Sequence, residues 1–255
     1  MTSDLFGGID LGASATKAVL ADSGKDVVAY AVVPSGLNLT ESRNKALEDA
    51  LKQTGGKKVK NIVTTGFGRK VADIDGKKKT EISCHAKGCY HYYPHASTVV
   101  DIGGQDTKII KLDERGKIIS FKMNRKCAAG TGTFLEEIAH RMKVPLGDLD
   151  RLARASKKKI RLNSFCTVFS STEILTRIRE GESAEDMING AFEAVVQRVL
   201  EMDSLEGNVV MTGGVVAYNK IVVDILEKQL NKKIFVPPHP QLTGALGAAL
   251  FAMEI

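Results

Sequence analysis

Two stretches of this chain, FGGIDLGASATKAVLAD at 6–22 and STVVDIGGQDTKIIKLDERGKIISFKM at 97–123, run in the same order. Each is an apolar segment, an Asp, a Gly-containing turn with polar side chains, and a second apolar run. Ile, Val and Leu fill the runs and glycine with Asp or a hydroxyl fills the turn, so both are predicted to be β-hairpins. After the first hairpin, 40–55 has a helical period with Thr40 as its start signal, and 59–69 reads as a buried strand entering a turn. Further on, 132–142, 171–181 and 183–203 carry the spacing of amphipathic helices, and 207–231 reads as strand, Gly turn and helix. The tail 242–255 is a small-residue helix suited to packing closely on a sheet. Strands alternating with helices, in two halves that open alike, predict an α/β protein of two related lobes, each a mixed β-sheet flanked by helices. The lobes are expected at 1–96 and 97–242, with 243–255 packing back on the first.

With 255 residues, 43% of them hydrophobic and 26% charged, the chain can bury a substantial core. The first residues, MTSDLFGGID, show no basic region followed by an apolar run, and no stretch approaches about 18 apolar residues, so a cytoplasmic protein with no membrane association is expected. The net charge of +6 is gathered in short lysine runs at 57–60, 76–79 and 156–159, which read as solvated faces. Aromatic residues make up 5% and Trp is absent, so bases have no rings to stack on and nucleic acid is not an expected partner.

The turns carry chemistry. In DLGASATK, Gly12, Ala13 and Ser14 allow backbone N–H groups to converge on an anion, Ser14 and Thr16 offer hydroxyls, and Lys17 adds charge. Asp10 at the strand end can hold a hydrated Mg²⁺. DIGGQD offers Asp101 for metal or water, Gly103 and Gly104 for close backbone approach, and Gln105 and Asp106 to orient water. In MTGGVVAYN (211–219), Gly213 and Gly214 leave a flat surface for an adenosine. One Asp-x-Gly turn alone is no more than a hairpin loop; three in this order are far more specific. Through GIDLGASATK, VVDIGGQDTK and VVMTGGVV the chain resembles the actin, Hsp70 and sugar-kinase superfamily of two-lobed ATPases. That resemblance implies ATP or ADP with Mg²⁺ in an interlobe cleft, and does not choose the task.

In a reducing compartment the four cysteines are thiols. Cys127, in NRKCAAGTGTFLEEIA, is expected at or just before a helix N-terminus, where unsatisfied N–H groups and the macrodipole favour the thiolate. Cys166, in SFCTVF, precedes a helix in the same way. Either alone reads as buried filler; the pair reads as nucleophiles or metal ligands. A four-iron cluster normally takes four thiolates, and a second copy of the chain across a two-fold axis could supply the missing pair. With TGFGR (65–69), EISCHAKG (81–88) and GALGAAL added, the chain resembles the activator ATPases of 2-hydroxyacyl-CoA dehydratases from about residue 7 to 251. That family includes the ATPase subunits of benzoyl-CoA reductase and the reductases of double-cubane cluster proteins.

The resemblance implies a homodimer sharing one [4Fe-4S] cluster ligated by Cys127 and Cys166 of each subunit. Reduced ferredoxin or flavodoxin would be the electron donor, and a partner iron–sulfur reductase or dehydratase the acceptor. Asp10, Asp101 and Gln105 would serve hydrolysis. Gly130, Thr131 and Gly132 would lie near the phosphates, and Val215, Asn219 and Gln241 would join the nucleotide contacts. Arg125 departs from the family, where many relatives have an acidic residue, as does VFSSTE where they have VFAESE.

Other readings use the same residues. Cys84, His85, Cys89, His91 and His95 invite zinc, but their spacing matches no common structural site. A buried Cys84, a hydrogen-bonded His85 and an exposed His91 or His95 are expected instead. A small-molecule kinase would use the same turns with a carboxylate as base, and a chaperone-like or filament-forming switch would use them for binding alone. Neither needs Cys127 or Cys166.

Overall fold

Each half of the chain lays down a hairpin and then returns a parallel strand to the hairpin's first arm. The computed structural model describes residues 4–71, 77–162 and 167–255, without the side chains of 167–171. β1 (Leu5–Leu11) pairs antiparallel with β2 (Ala15–Asp22), placing Asp10 opposite Lys17. β3 (Val27–Pro34) adds antiparallel to β2, and after α1 (Leu39–Lys52) the strand β4 (Val59–Thr65) lies parallel to β1 with Thr65 opposite Asp10. With β5 (Lys77–Lys78) the order is β3-β2-β1-β4-β5, and α2 (Glu81–Tyr92) follows.

The second sheet holds β6 (Ser97–Ile102), β7 (Thr107–Leu112), β8 (Ile118–Asn124) and β9 (Val209–Thr212) in the order β8-β7-β6-β9. β9 runs parallel to β6 with Thr212 opposite Asp101. Between β8 and β9 come α3 (Gly132–Arg141), α4 (Leu149–Arg154), α5 (Thr167–Arg179) and α6 (Ala184–Met202). After β9 come α7 (Gly214–Tyr218), α8 (Ile221–Leu230) and α9 (Thr243–Ala252). Both predicted hairpins and the mixed-sheet α/β class are present. The chain divides into two compact units, Met1–Ala96 with Ile110–Ser120 and Gln241–Ile255, and Ser97–Ile109 with Phe121–Pro240.

Three expectations need correction. α1 is capped by Asn38, whose side chain accepts from Glu41 N–H, rather than by Thr40. Asn38 holds the extended backbone an N-cap requires, while Thr40 already lies inside the helix. The helix expected after β9 is two: α7 ends where Asn219 leaves the helical conformation, and α8 starts anew behind Lys220. Finally, α3 starts at Gly132 as its pattern predicts, which leaves Cys127 five residues ahead of the helix rather than at its start.

β1 is buried along its whole length, as a central strand covered on both faces must be. Leu5, Ile9, Leu11 and Leu20 pack with Ala46 and Ala50 of α1, while Val19 and Ala21 pack with Leu246 and Ala249 of α9. Three glycines set how closely α9 sits. A methyl on Gly8 would lie 1.9 Å from Ala245 O, one on Gly247 1.8 Å from Cys84 O, and one on Gly88 2.1 Å from Thr243 O. Backbone therefore meets backbone where α9 crosses β1 and α2. The core of the second unit gathers Phe134, Ile138, Phe192, Val195, Val209 and Met211. Among the described residues no helix is long and apolar enough to cross a membrane.

Gly247→Ala must separate α9 from α2. Overpacking costs about 1–3 kcal/mol, and more where backbone has to shift, so urea unfolding is expected to show a loss at or above that upper end. Gly147→Ala, which meets nothing within 4 Å, is expected to change stability by less than about 0.5 kcal/mol.

Candidate functional site

In the first unit, Asp10 is 4% exposed at the end of β1, and Lys17 reaches across the hairpin to its Oδ2 at 3.2 Å. Ala13 and Ser14 stand exposed at the tip. Gly12 is required there because a methyl would lie 2.7 Å from Ala15 O. Thr16 does not face outward. It is fully buried, with its hydroxyl 3.0 Å from Ser35 Oγ and 3.2 Å from Ser42 Oγ, while Ser35 donates to Gly12 O at 2.6 Å. Thr16 therefore braces the turn from behind, because β2 alternation points it inward. Gly66, just beyond β4, has φ +92 and ψ 175, a conformation close to glycine's alone, and a methyl there would lie 2.6 Å from Asp10 Oδ1.

The second unit repeats this construction. Asp101 is 2% exposed; Lys108 donates to its Oδ2 at 3.3 Å and to Asp106 Oδ1 at 2.6 Å, and Thr212 Oγ1 donates to its Oδ1 at 2.9 Å. Gly103 N–H closes the turn on Asp106 O at 2.9 Å, leaving Gln105 exposed at the tip. Gly213 has φ +103 and ψ 170 and presses on Ile102, where a methyl would lie 2.3 Å from its carbonyl oxygen. Its N–H donates to Pro240 O at 2.9 Å.

The N-terminus of α3 is stitched to this turn. Gly132 N–H donates to Gly103 O at 2.9 Å, and Thr133 donates to Gly104 O through its N–H at 2.7 Å and its hydroxyl at 2.8 Å. Gly130, at φ +79, accepts from Thr107 Oγ1 at 2.6 Å. Thr131 is fully buried and donates to Ala128 O at 2.6 Å. A methyl on Gly132 would sit 3.1 Å from Gly104 Cα and 3.4 Å from Val215 Cγ2, so the turn, the α3 start and the α7 start share one place. Gly214 opens α7, and Asn219 closes it by donating its side-chain amide to Val215 O at 3.1 Å. Gln241 is half-buried in the short turn Pro240–Leu242.

Sequence reasoning missed Lys108, Thr212 and the matching pair of Thr–Gly strand ends. The signal was present: Asp10, Gly12, Thr16 and Lys17 recur at equal spacing as Asp101, Gly103, Thr107 and Lys108, followed by Thr65–Gly66 and Thr212–Gly213.

Comparison with known proteins agrees with this duplicated construction, since the profile of the BadF/BadG/BcrA/BcrD ATPase family matches residues 8–252. The chain belongs to that family. Among relatives of this family member, the activator of lactoyl-CoA dehydratase from Anaerotignum propionicum is 43% identical, covering 97% of this chain and 96% of its own. The crystal structure of the activator of the 2-hydroxyisocaproyl-CoA dehydratase from Clostridium difficile with bound ADPNP superposes with a TM-score of 0.91. It is 38% identical, over 98% of this chain and 94% of that one. A ROK family glucokinase from Streptomyces griseus, 14% identical over 98% of this chain and 100% of that one, shares the fold alone at a TM-score of 0.58. The fold is that of the actin, Hsp70 and sugar-kinase-like ATPases.

In this BadF/BadG/BcrA/BcrD ATPase, Cys127 is exposed on the loop between β8 and α3, where Asn124 Nδ2 donates to Cys127 O and to Ala129 O, each at 3.0 Å. The expected seat at a helix start does not hold, because the Gly130 turn intervenes before Gly132. Cys166 lies outside the described residues. Asp186, at the start of α6, accepts from Ser156 Oγ at 2.8 Å and from the N–H groups of Lys157 and Lys158 at 2.9 Å, anchoring the chain upstream of that cysteine. Ser183 and these donors hold its carboxyl well below the usual range.

Cys84 and Cys89 are buried in α2. Burial pushes the Cys84 thiol up to about 12; the Thr65 hydroxyl opposes this, and the charge of Asp10 adds to it. His85 is buried, with Nδ1 3.3 Å from Thr243 Oγ1, and His95 is exposed, both as expected. Among the described residues no group of three or more His, Cys, Asp or Glu could hold a metal ion.

Lys108→Met leaves a buried carboxylate without its cation, which costs about 3–5 kcal/mol. Urea unfolding is expected to show that loss, with part of it recovered in Asp101→Asn/Lys108→Met. Iodoacetamide at pH 7 is expected to alkylate Cys127 in the metal-free native protein, with Cys84 reacting only after denaturation; peptide mass spectrometry reads the order.

Proposed function

We propose that this protein is a cytoplasmic, homodimeric ATPase that binds ATP and Mg²⁺, with lobes at 1–96 with 243–255 and at 97–242. It would use hydrolysis to deliver a low-potential electron to a partner iron–sulfur enzyme, such as a 2-hydroxyacyl-CoA dehydratase or a double-cubane protein. Family membership supports the ATPase, the bound ADPNP of the Clostridium difficile activator supports the nucleotide, and the relatives' names support the class of partner.

The observation that carries the reading is the connection between Cys127 and the second turn. Cys127 is exposed, and four residues separate it from Gly132, which with Thr133 is hydrogen-bonded to Gly103 and Gly104 of the Asp101 turn. A change in that turn on loss of a phosphate would therefore be felt at the thiol. The fit to a cluster is good: an accessible thiol on a braced loop can ligate iron, while Cys84 and Cys89 are buried elsewhere. Cys127 and Cys166 of each subunit would hold a [4Fe-4S] cluster, which when bound supplies a one-electron couple, fed by reduced ferredoxin or flavodoxin. Asp10 and Asp101 would hold Mg²⁺ and the attacking water, and Gln105, exposed at its turn, would orient that water. Lys17 would offset phosphate charge, with Gly12, Ala13, Ser14, Gly103, Gly104 and Asp106 lining the phosphates. Gly213, Gly214, Val215, Asn219 and Gln241 would lie against the adenosine.

The test is anaerobic reconstitution with iron and sulfide. Wild type is expected to gain about four irons per dimer and an EPR signal on reduction. Cys127→Ser and Cys166→Ser should each lose both while still binding a fluorescent ADP analogue. A full cluster in either variant would sink the ligand assignment, and a wild type that stays colourless would leave an ATPase without the electron.

A further inference from the structure

The segment EISCHAKG forms the first turns of α2, and nothing above gives it a task. Its His85 is 6% exposed and lies where three elements converge: α2, the start of α9 and the end of β1. Thr243, fully buried at the first position of α9, is 3.3 Å from His85 Nδ1. The other ring nitrogen and the Asp10 carboxylate border one small space: a methyl placed on Gly244 would lie 3.0 Å from His85 Nε2 and 3.3 Å from Asp10 Oδ2. Gly244 thus keeps clear the small space that imidazole and carboxylate share. The backbone contacts at Gly88 and Gly247 hold α2 and α9 close enough for that meeting.

An ionised carboxylate can only accept hydrogen bonds, so a His85 that supports Asp10 does so through a protonated Nε2. In that tautomer Nδ1 is an acceptor, and the Thr243 hydroxyl, 3.3 Å away, is placed to donate to it. Asp10 Oδ2 already receives Lys17 Nζ at 3.2 Å, and its Oδ1 lies against Gly66.

We propose that His85 is a positioning residue for Asp10: its Nε2–H, set by Thr243, aims the Asp10 carboxylate at the metal and water of ATP hydrolysis. The inference rests on the nucleotide reading above and deepens it. Asp101 receives the corresponding support from Thr212 in the second unit, at 2.9 Å. The two carboxylates are therefore held by different chemistry.

Removing a group that orients such a carboxylate typically costs about 10–100-fold. The experiment measures Mg·ATP hydrolysis, affinity for a fluorescent ADP analogue without Mg²⁺, and melting temperature. It is run on full-length wild type, His85→Ala, His85→Gln and Gly244→Ala. His85→Ala is expected to lower kcat by about that factor while metal-free ADP affinity stays within about threefold. His85→Gln, which keeps an N–H donor, should recover most of kcat. Gly244→Ala keeps the imidazole but fills the space between it and Asp10, and should lose kcat like His85→Ala while metal-free ADP affinity stays within about threefold. It carries the test if His85→Ala does not fold. Wild-type turnover in Gly244→Ala, or a His85→Gln as slow as a folded His85→Ala, would overturn the role of His85 alone. A wild type that binds no ADP would overturn the nucleotide reading, and this inference with it.

Discussion

A buried carboxylate facing a lysine across a hairpin turn is the interaction on which the rest of each unit depends. Asp10 and Asp101 are almost wholly out of water, and an unpaired charge in that position is costly unless it is paired and hydrogen-bonded. Lys17 and Lys108 supply the pairing from the opposite strand, at the register the hairpin imposes. The returning parallel strand ends in Thr–Gly, and that glycine alone can pass so close to the end of the first strand. The result is a rigid frame with an acidic group held at its rim and an exposed glycine-rich tip in front of it.

The two frames share their skeleton and differ in their supports. Asp101 is held by Lys108 and Thr212, both on neighbouring strands of its own sheet. Around Asp10 the helices α2 and α9 come in, bringing Cys84, His85 and Thr243. That difference depends on three contacts too close for any side chain, at Gly8, Gly88 and Gly247. Glycines at the crossings of α9 with β1 and α2 thus decide which side chains surround the Asp10 carboxylate.

The second turn is also where the sheet fastens a helix start. α3 begins on the carbonyls of Gly103 and Gly104, so its first N–H groups are already used. They act as fasteners between the turn and the loop that carries Cys127. The exposed thiol of that loop is thus tied through the start of α3 to the position of the turn.

Much of this was legible in the amino-acid order. The repeated Asp–Gly hairpins, the amphipathic helices and the family-level motifs follow from local rules of alternation, helical period and turn chemistry, which need no knowledge of neighbours. The sequence alone determined the α/β class, the duplicated openings and the residues worth watching, Asp10, Asp101 and Cys127 among them. Only the tertiary structure decided that Thr16 faces inward and that Asn38 rather than Thr40 caps α1. It also brought His85 and Asp10 to the same glycine, Gly244. The reason is physical: orientation and partnership depend on burial and on approach between segments far apart in sequence, such as residues 85 and 243. Local propensity has no term for either.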